Sequence, residues 1–210
     1  AHLHTVLHFR KGLKKMLRIM HRVNTIDQLK NTPVELGVEV DIRSQNKELI
    51  IHHEPFQQGE SFSKWVSFFK HKILILNVKE EGLETRLLKL MAQYNIKNFF
   101  FLDQSFPFLR KTVFMGENRC AIRVSEYENI ETVLTLTGKV EWVWVDCFTR
   151  FPLNSQQTNI LQKKGFKLCF VSPELQGRSE LSHIKKFRRE IESLGINGDA
   201  VCTKQPELWA

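Results

Sequence analysis

Short apolar runs recur along the chain, and segments with helical spacing separate most of them. The runs lie at 17–23, 38–42, 73–78, 98–102, 120–124, 142–145, 167–171 and 200–202. Ile73-Leu74-Ile75-Leu76 and Phe99-Phe100-Phe101-Leu102 are continuously hydrophobic, a pattern that predicts parallel strands buried on both faces. Between the runs, 179–194 sets Leu181, Ile184, Phe187, Ile191 and Leu194 at helical spacing, with Lys185, Lys186, Arg188 and Arg189 elsewhere on the surface. Two capping-type sequences, Ser125-Glu126-Tyr127-Glu128 and Asn154-Ser155-Gln156-Gln157, predict further helix starts. A further extended run at 48–52 follows the second strand too closely for a new strand–helix unit and reads as a hairpin-like extension.

Eight strands alternating with helices predict an α/β fold, a compact (β/α)8 TIM barrel with short loops. The competing doubly wound sheet loses ground because the chain has no G-x-G-x-x-G and no G-x-x-x-x-G-K-[ST]. At 210 residues the chain is short for a barrel, which usually needs ~250, so little decoration is expected. No linker or low-complexity stretch divides it. The expected organisation is a basic N-terminal extension over 1–16 and one barrel domain over 17–210.

In a barrel, chemistry belongs at the carboxyl ends of the strands. The first strand ends at His21-Arg22, the second carries Glu39-Val40-Asp41, the hairpin ends at His52-His53-Glu54, and the third strand ends at Asn77-Val78-Lys79. Later strands end at Asp103, Arg123, Asp146 and Lys204, which with His53 read as further contacts at the mouth. Glu39 and Asp41, two residues apart on a strand, face the same side and offer a hard divalent cation oxygen ligands. Two histidines can exchange protons near neutral pH, since an unperturbed imidazole has a pKa of ~6.5. Arg22 and Lys79 are suited to holding an anionic group. Cation, acid, base and fixed positive charge together describe phosphodiester cleavage.

Composition narrows the reading. The residues are 42% hydrophobic and 26% charged, enough apolar side chain for a core and against disorder. The net charge of +8 first suggests a polyanionic partner, but residues 1–26 contribute six basic and no acidic side chains. The remaining residues are close to neutral, which favours a small phosphorylated ligand over nucleic acid, for which no binding motif occurs. Residues 9–18 form a basic amphipathic stretch suited to weak contact with a membrane surface, and no apolar run reaches the ~20 residues of a membrane helix. The scattered Cys120, Cys147, Cys169 and Cys202 read as reduced core residues of a cytoplasmic protein.

The ordered set resembles the glycerophosphodiester phosphodiesterase family and, more distantly, the phosphatidylinositol-specific phospholipase C barrels. His21-Arg22-Val23 is similar to the family's opening H-R-G, Asn24-Thr25 to the tail of its E-N-T, and Glu39-Val40-Asp41 to its E-x-D. His52-His53 resembles its histidine-aspartate pair, Asn77-Val78-Lys79 its E-x-K, and residues 199–206 its closing D-G-I-I-T-D-x-P strand. The resemblance implies a metal-dependent hydrolase that releases glycerol 3-phosphate, with His21 and His52 as the acid–base pair. It implies Mg²⁺ or Ca²⁺ on Glu39, Asp41 and, in place of a carboxylate, Asn77, with Arg22 and Lys79 on the phosphate. The missing glycine and glutamate of the opening motifs, the neutral Asn77 and His53 in place of an aspartate are departures. They leave open an alternative, a weak or inactive relative that binds a phosphorylated glycan or glycerol phosphate.

Overall fold

The computed structural model describes residues 15–210. The elements, in chain order, begin with β1 (Leu17–Met20), α1 (Ile26–Asn31), β2 (Gly37–Gln45), β3 (Glu48–Ile51) and β4 (Glu60–Ser61). There follow α2 (Phe62–Val66), β5 (Leu74–Val78), α3 (Glu84–Gln93), β6 (Phe99–Leu102), α4 (Phe106–Phe114), β7 (Ala121–Val124) and α5 (Ile130–Leu134). The chain ends with β8 (Trp142–Val145), α6 (Ser155–Lys163), β9 (Lys167–Val171), α7 (Leu181–Ser193) and β10 (Ala200–Thr203), then a short 3-10 turn at Pro206–Trp209.

All eight apolar runs form strands, and β2, β1, β10, β9, β8 and β7 pair side by side in parallel. On the other side of β2 lie β5 and then β6, also parallel. The sheet curls, and one parallel bridge, Phe101↔Cys120, joins β6 to the chain just before β7. The run at 48–52 is a hairpin on β2, antiparallel from Ile42↔Ile51 to Gln45↔Glu48.

Two apolar clusters follow from the two faces. Val38, Val40, Leu76 and Phe101 pack with the helices through Leu29, Leu87, Val113 and Ile184. The alternate residues, among them Ile19, Ile75, Phe100, Trp142, Trp144 and Cys202, fill the inside of the curl. There Phe100 and Trp142 stack with ring centroids 4.7 Å apart. Gly37 belongs to the same layer, where a Cβ would come within 2.5 Å of Ile73 Cγ2 and 2.9 Å of Ile19 Cγ1.

The Asn154 start is a capping box with Gln157, as its sequence predicts, and α7 occupies the middle of the expected 179–194 helix. Ser125-Glu126-Tyr127-Glu128 does not open a helix. The Ser125 hydroxyl donates to Glu128 and their backbones pair, which closes a turn, and α5 starts only after Asn129. The four cysteines are free and buried. Residues 1–14 of the expected extension, with most of the amphipathic stretch, lie outside the described residues, while Met16 packs on the core. Among the described residues no helix is long and apolar enough to cross a membrane.

Candidate active site

The inner layer turns from apolar to charged as each strand reaches its carboxyl end. Two residues beyond Ile19 stands His21, beyond Gly37 stand Glu39 and Asp41, beyond Ile75 stand Asn77 and Lys79, and beyond Trp144 stands Asp146. The period of two that buries the core therefore aims these polar groups into one mouth. A cavity of about 210 Å³ there is lined by His21, Arg22, Glu39, His53, Asn77, Lys79, Asp103, Arg123 and Asp146, with Trp144, Phe148 and Gln176.

His21 leaves β1 with its backbone N–H bonded to Thr203 O at 3.0 Å. Arg22 then takes a left-handed φ of 54°, a conformation that costs a non-glycine residue about 1–3 kcal/mol. The turn sends the Arg22 backbone N–H to Glu39 Oε2 at 2.7 Å, while the guanidinium Nε lies 3.7 Å from Asp41 Oδ2. Asn24 braces the same carboxylate: its Nδ2 donates to Asp41 Oδ2 at 2.8 Å, and its Oδ1 accepts from the Asp41 backbone N–H at 3.0 Å.

From Asp41 a chain of alternating charges runs round the mouth. Lys79 Nζ is 3.3 Å from Asp41 Oδ1 and 3.2 Å from Asp103 Oδ2. Arg123 pairs with Asp103 and reaches Asp146 at 3.7 Å. Gln176 Nε2 donates to Asp146 Oδ1 at 2.6 Å. Burial pushes the Asp146 carboxyl above its ordinary value against the pull of Arg123. Each charge is thus held by its neighbours before any ligand arrives.

His21 Nε2 lies 3.8 Å from Oε2 of the fully buried Glu39. Burial, reinforced by the Arg22 charge, takes the His21 imidazole down to about 3, so the ring is neutral at neutral pH. Burial and the neighbouring Asp41 carboxylate hold the Glu39 carboxyl well above the usual carboxylate range. His21 Nδ1 is buried and has no hydrogen-bond partner.

The histidine pair divides: His53, expected as a mouth contact, enters the cavity, and His52, expected as the catalytic partner, does not. His53 lines the cavity, its Nδ1 2.6 Å from Glu54 Oε1, and that contact lowers the Glu54 carboxyl. His52, read as the acid–base partner of His21, is outside the lining, and its Nδ1 is 3.0 Å from both the backbone O and N of Glu54. The cause is the path of the chain as it leaves β3 after Ile51. Arg43 fixes that path, since its guanidinium donates to the carbonyls of His53 at 2.8 Å and Lys79 at 3.1 Å. Lys204, after β10, also stands outside the lining, although its charge acts on His21. Arg43, Trp144, Phe148 and Gln176 are additions that sequence reasoning missed; of these only Trp144, two residues before Asp146 on β8, carried a signal in strand alternation.

Asp41 and Asn77 face each other in the β2–β5 register; Asn77 Oδ1 is a buried acceptor without a hydrogen-bond partner, while Asp41 Oδ1 is occupied by the Lys79 ion pair at 3.3 Å. The Asn77 amide nitrogen donates to Glu39 Oε1 at 2.8 Å, which assigns the free atom as oxygen. With Glu39 these make an all-oxygen set that suits a hard divalent cation in kind, though with two carboxylates only. Among the described residues no group of three or more His, Cys, Asp or Glu is placed to hold a metal ion.

Parallel strands alternating with helices, with charges gathered beyond the strands' carboxyl ends, are the architecture of barrel-type α/β proteins. Two solved structures share it. The chain is similar to a glycerophosphoryl diester phosphodiesterase from Parabacteroides distasonis ATCC 8503, with a TM-score of 0.63 at 13% identity, over 94% of this chain and 85% of that one. It is also similar to a glycerophosphodiester phosphodiesterase from Agrobacterium tumefaciens str. C58, with a TM-score of 0.66 at 10% identity, over 92% and 99%. No family model matches the sequence, and no curated protein matches it. The likeness that the motifs implied thus extends to the fold of these phosphodiesterases.

Proposed function

We propose that the curled sheet is a closed (β/α)8 barrel with its seam between β6 and β7, and that its mouth hydrolyses a small phosphodiester of the glycerophosphodiester type. The observation that carries this reading is the convergence of two histidines and three cations, His21, His53, Arg22, Lys79 and Arg123, on one small cavity. Arg22 and Lys79 hold the phosphoryl oxygens and offset the charge that builds on them in the transition state. Neutral His21 accepts a proton of the attacking water at its Nε2 as the water oxygen bonds to phosphorus and the bond to the leaving alcohol breaks. His53, oriented by Glu54, returns a proton to the leaving alcohol. The divalent cation, Mg²⁺ or Ca²⁺, is assigned to Glu39, Asp41 and the Asn77 amide oxygen, and when bound it supplies Lewis-acid neutralisation of the phosphoryl charge. Four free, buried thiols favour a reducing compartment such as the cytoplasm.

The deciding experiment is hydrolysis of a glycerophosphodiester with and without added Mg²⁺ or Ca²⁺, on wild type and His21→Ala. Turnover that His21→Ala abolishes supports the reading; equal background rates for both proteins under every condition reject it. One observation favours a second reading, binding without turnover: Asn77 is neutral, and its amide is already bonded to Glu39. Under that reading glycerol 3-phosphate binding survives His21→Ala and is lost in Arg22→Ala.

A further inference from the structure

The segment that follows β8 borders the mouth, and two side chains take up its backbone. Glu126 accepts three successive N–H groups: Oε2 takes Phe148 at 3.2 Å, and Oε1 takes Thr149 at 2.7 Å and Arg150 at 2.8 Å. The Thr149 hydroxyl donates to the same Oε1 at 3.0 Å. Arg178 takes the carbonyls, donating to Thr149 O at 3.0 Å and to Cys147 O. Successive N–H groups turned toward one point form an anion-binding concavity, and here the anion is a side chain of the neighbouring loop. Against the opposing effect of burial, the Arg150 and Thr149 N–H donors bring the Glu126 carboxyl down to about 2, so the clamp is charged at neutral pH.

The loop that supplies Glu126 is itself closed. The Ser125 hydroxyl donates to Glu128 Oε2 at 2.7 Å, and the Tyr127 N–H donates to Ser125 Oγ at 3.1 Å. Beside the clamp, the Tyr127 ring lies 5.9 Å from the Phe148 ring at 55°. Phe148 is what the clamp delivers to the site, for its half-buried ring lines the mouth. Leu102, Trp144 and Val171 of the same lining sit in strand ladders that fix them. Phe148 lies beyond the end of β8 and has no ladder, so its place in the wall depends on the bonds to Glu126 and Arg178.

We propose that Glu126 is a positioning residue of the mouth: by fixing the backbone at 148–150 it holds the Phe148 ring against the uncharged part of a bound ester, and so sets how tightly the mouth takes its substrate. The proposal rests on the reading of the mouth as a phosphodiester site and adds a residue outside the lining. The test is steady-state hydrolysis of glycerophosphocholine, with Mg²⁺ or Ca²⁺ present, by wild type, Glu126→Ala, Glu126→Gln, Phe148→Ala and the double variant Glu126→Ala/Phe148→Ala, each checked by its melting curve. A wall touches the ester in the ground and transition states alike. KM is therefore expected to rise about tenfold in Glu126→Ala and in Phe148→Ala, with kcat kept within about threefold. The double variant should rise no further than either single one, since both act through one ring. Glu126→Gln, whose amide oxygen still serves Thr149 and Arg150, should raise KM less. An unchanged KM in Glu126→Ala, a loss in kcat alone, or KM rises that multiply in the double variant overturn the assignment and leave the mouth reading intact. Should Glu126→Ala fail to fold, Glu126→Gln decides by the same comparison with Phe148→Ala. Wild type without turnover rejects both readings.

Discussion

β2 and β5 are held by five consecutive pairs, Val38↔Leu74 to Ile42↔Val78, while the β6–β7 seam has a single bridge. The first junction carries Glu39, Asp41 and Asn77, all buried, and Lys79 follows directly. Closely spaced buried charges survive only in a frame that fixes every donor, because an unpaired one costs several kcal/mol. At the seam the missing pairs leave a crevice of about 640 Å³. The continuous ladder thus holds charge in place, and the interrupted one leaves open space.

The largest effect expected is on chemistry at the well-paired side. His21→Ala and His53→Ala should each slow glycerophosphodiester turnover about 10²–10⁴-fold, with His52→Ala changing it far less. Equal losses for His52→Ala and His53→Ala would show that the hairpin does not sort the two rings. Next in size, Lys79→Met leaves Asp41 and Asp103 without their shared cation and should destabilise the fold by about 3 kcal/mol in chemical denaturation. The double variant with Asp41→Asn should recover part of that loss.

Gly37→Ala should cost about 1–3 kcal/mol by the same measurement, since its methyl meets Ile73 and Ile19 at the foot of the β2 carboxylates. His21 should remain neutral in nitrogen NMR as the pH falls through 6.5 and 5, taking up a proton only near pH 3. An unfolded chain protonates this ring near 6.5, so through His21 the fold loses stability as pH drops from about 6.5 to about 3 and is indifferent to it above. The smallest effect contrasts the junctions directly. The Phe101 amide, bonded to Arg119 O across the seam at 2.9 Å, should show less protection from hydrogen exchange than Val40 in the β2–β5 ladder. Equal protection would remove the distinction between the two regions.

Much of this was legible from residue order. Continuous apolar runs marked the parallel strands, and the spacing of Glu39 and Asp41 put both carboxylates on one side. The turn at Ser125 was misread because a capping-type sequence satisfies its own groups equally well in a tight turn. His52 and His53 could not be told apart in one dimension, since the path after Ile51 depends on Arg43 reaching the carbonyls of His53 and Lys79. The charge chain from Arg22 to Asp146 and the β6–β7 crevice left no local trace, because each joins residues far apart in the chain.

The sequence by itself determined the strand–helix alternation, the inward set of polar residues at the strand ends and the buried thiols, all consequences of short periodicities and local burial. Tertiary structure decided which histidine enters the mouth, which acceptors lack partners and where one junction opens. Those outcomes depend on register and closure between distant strands, and strand register is a long-range property that no single segment encodes.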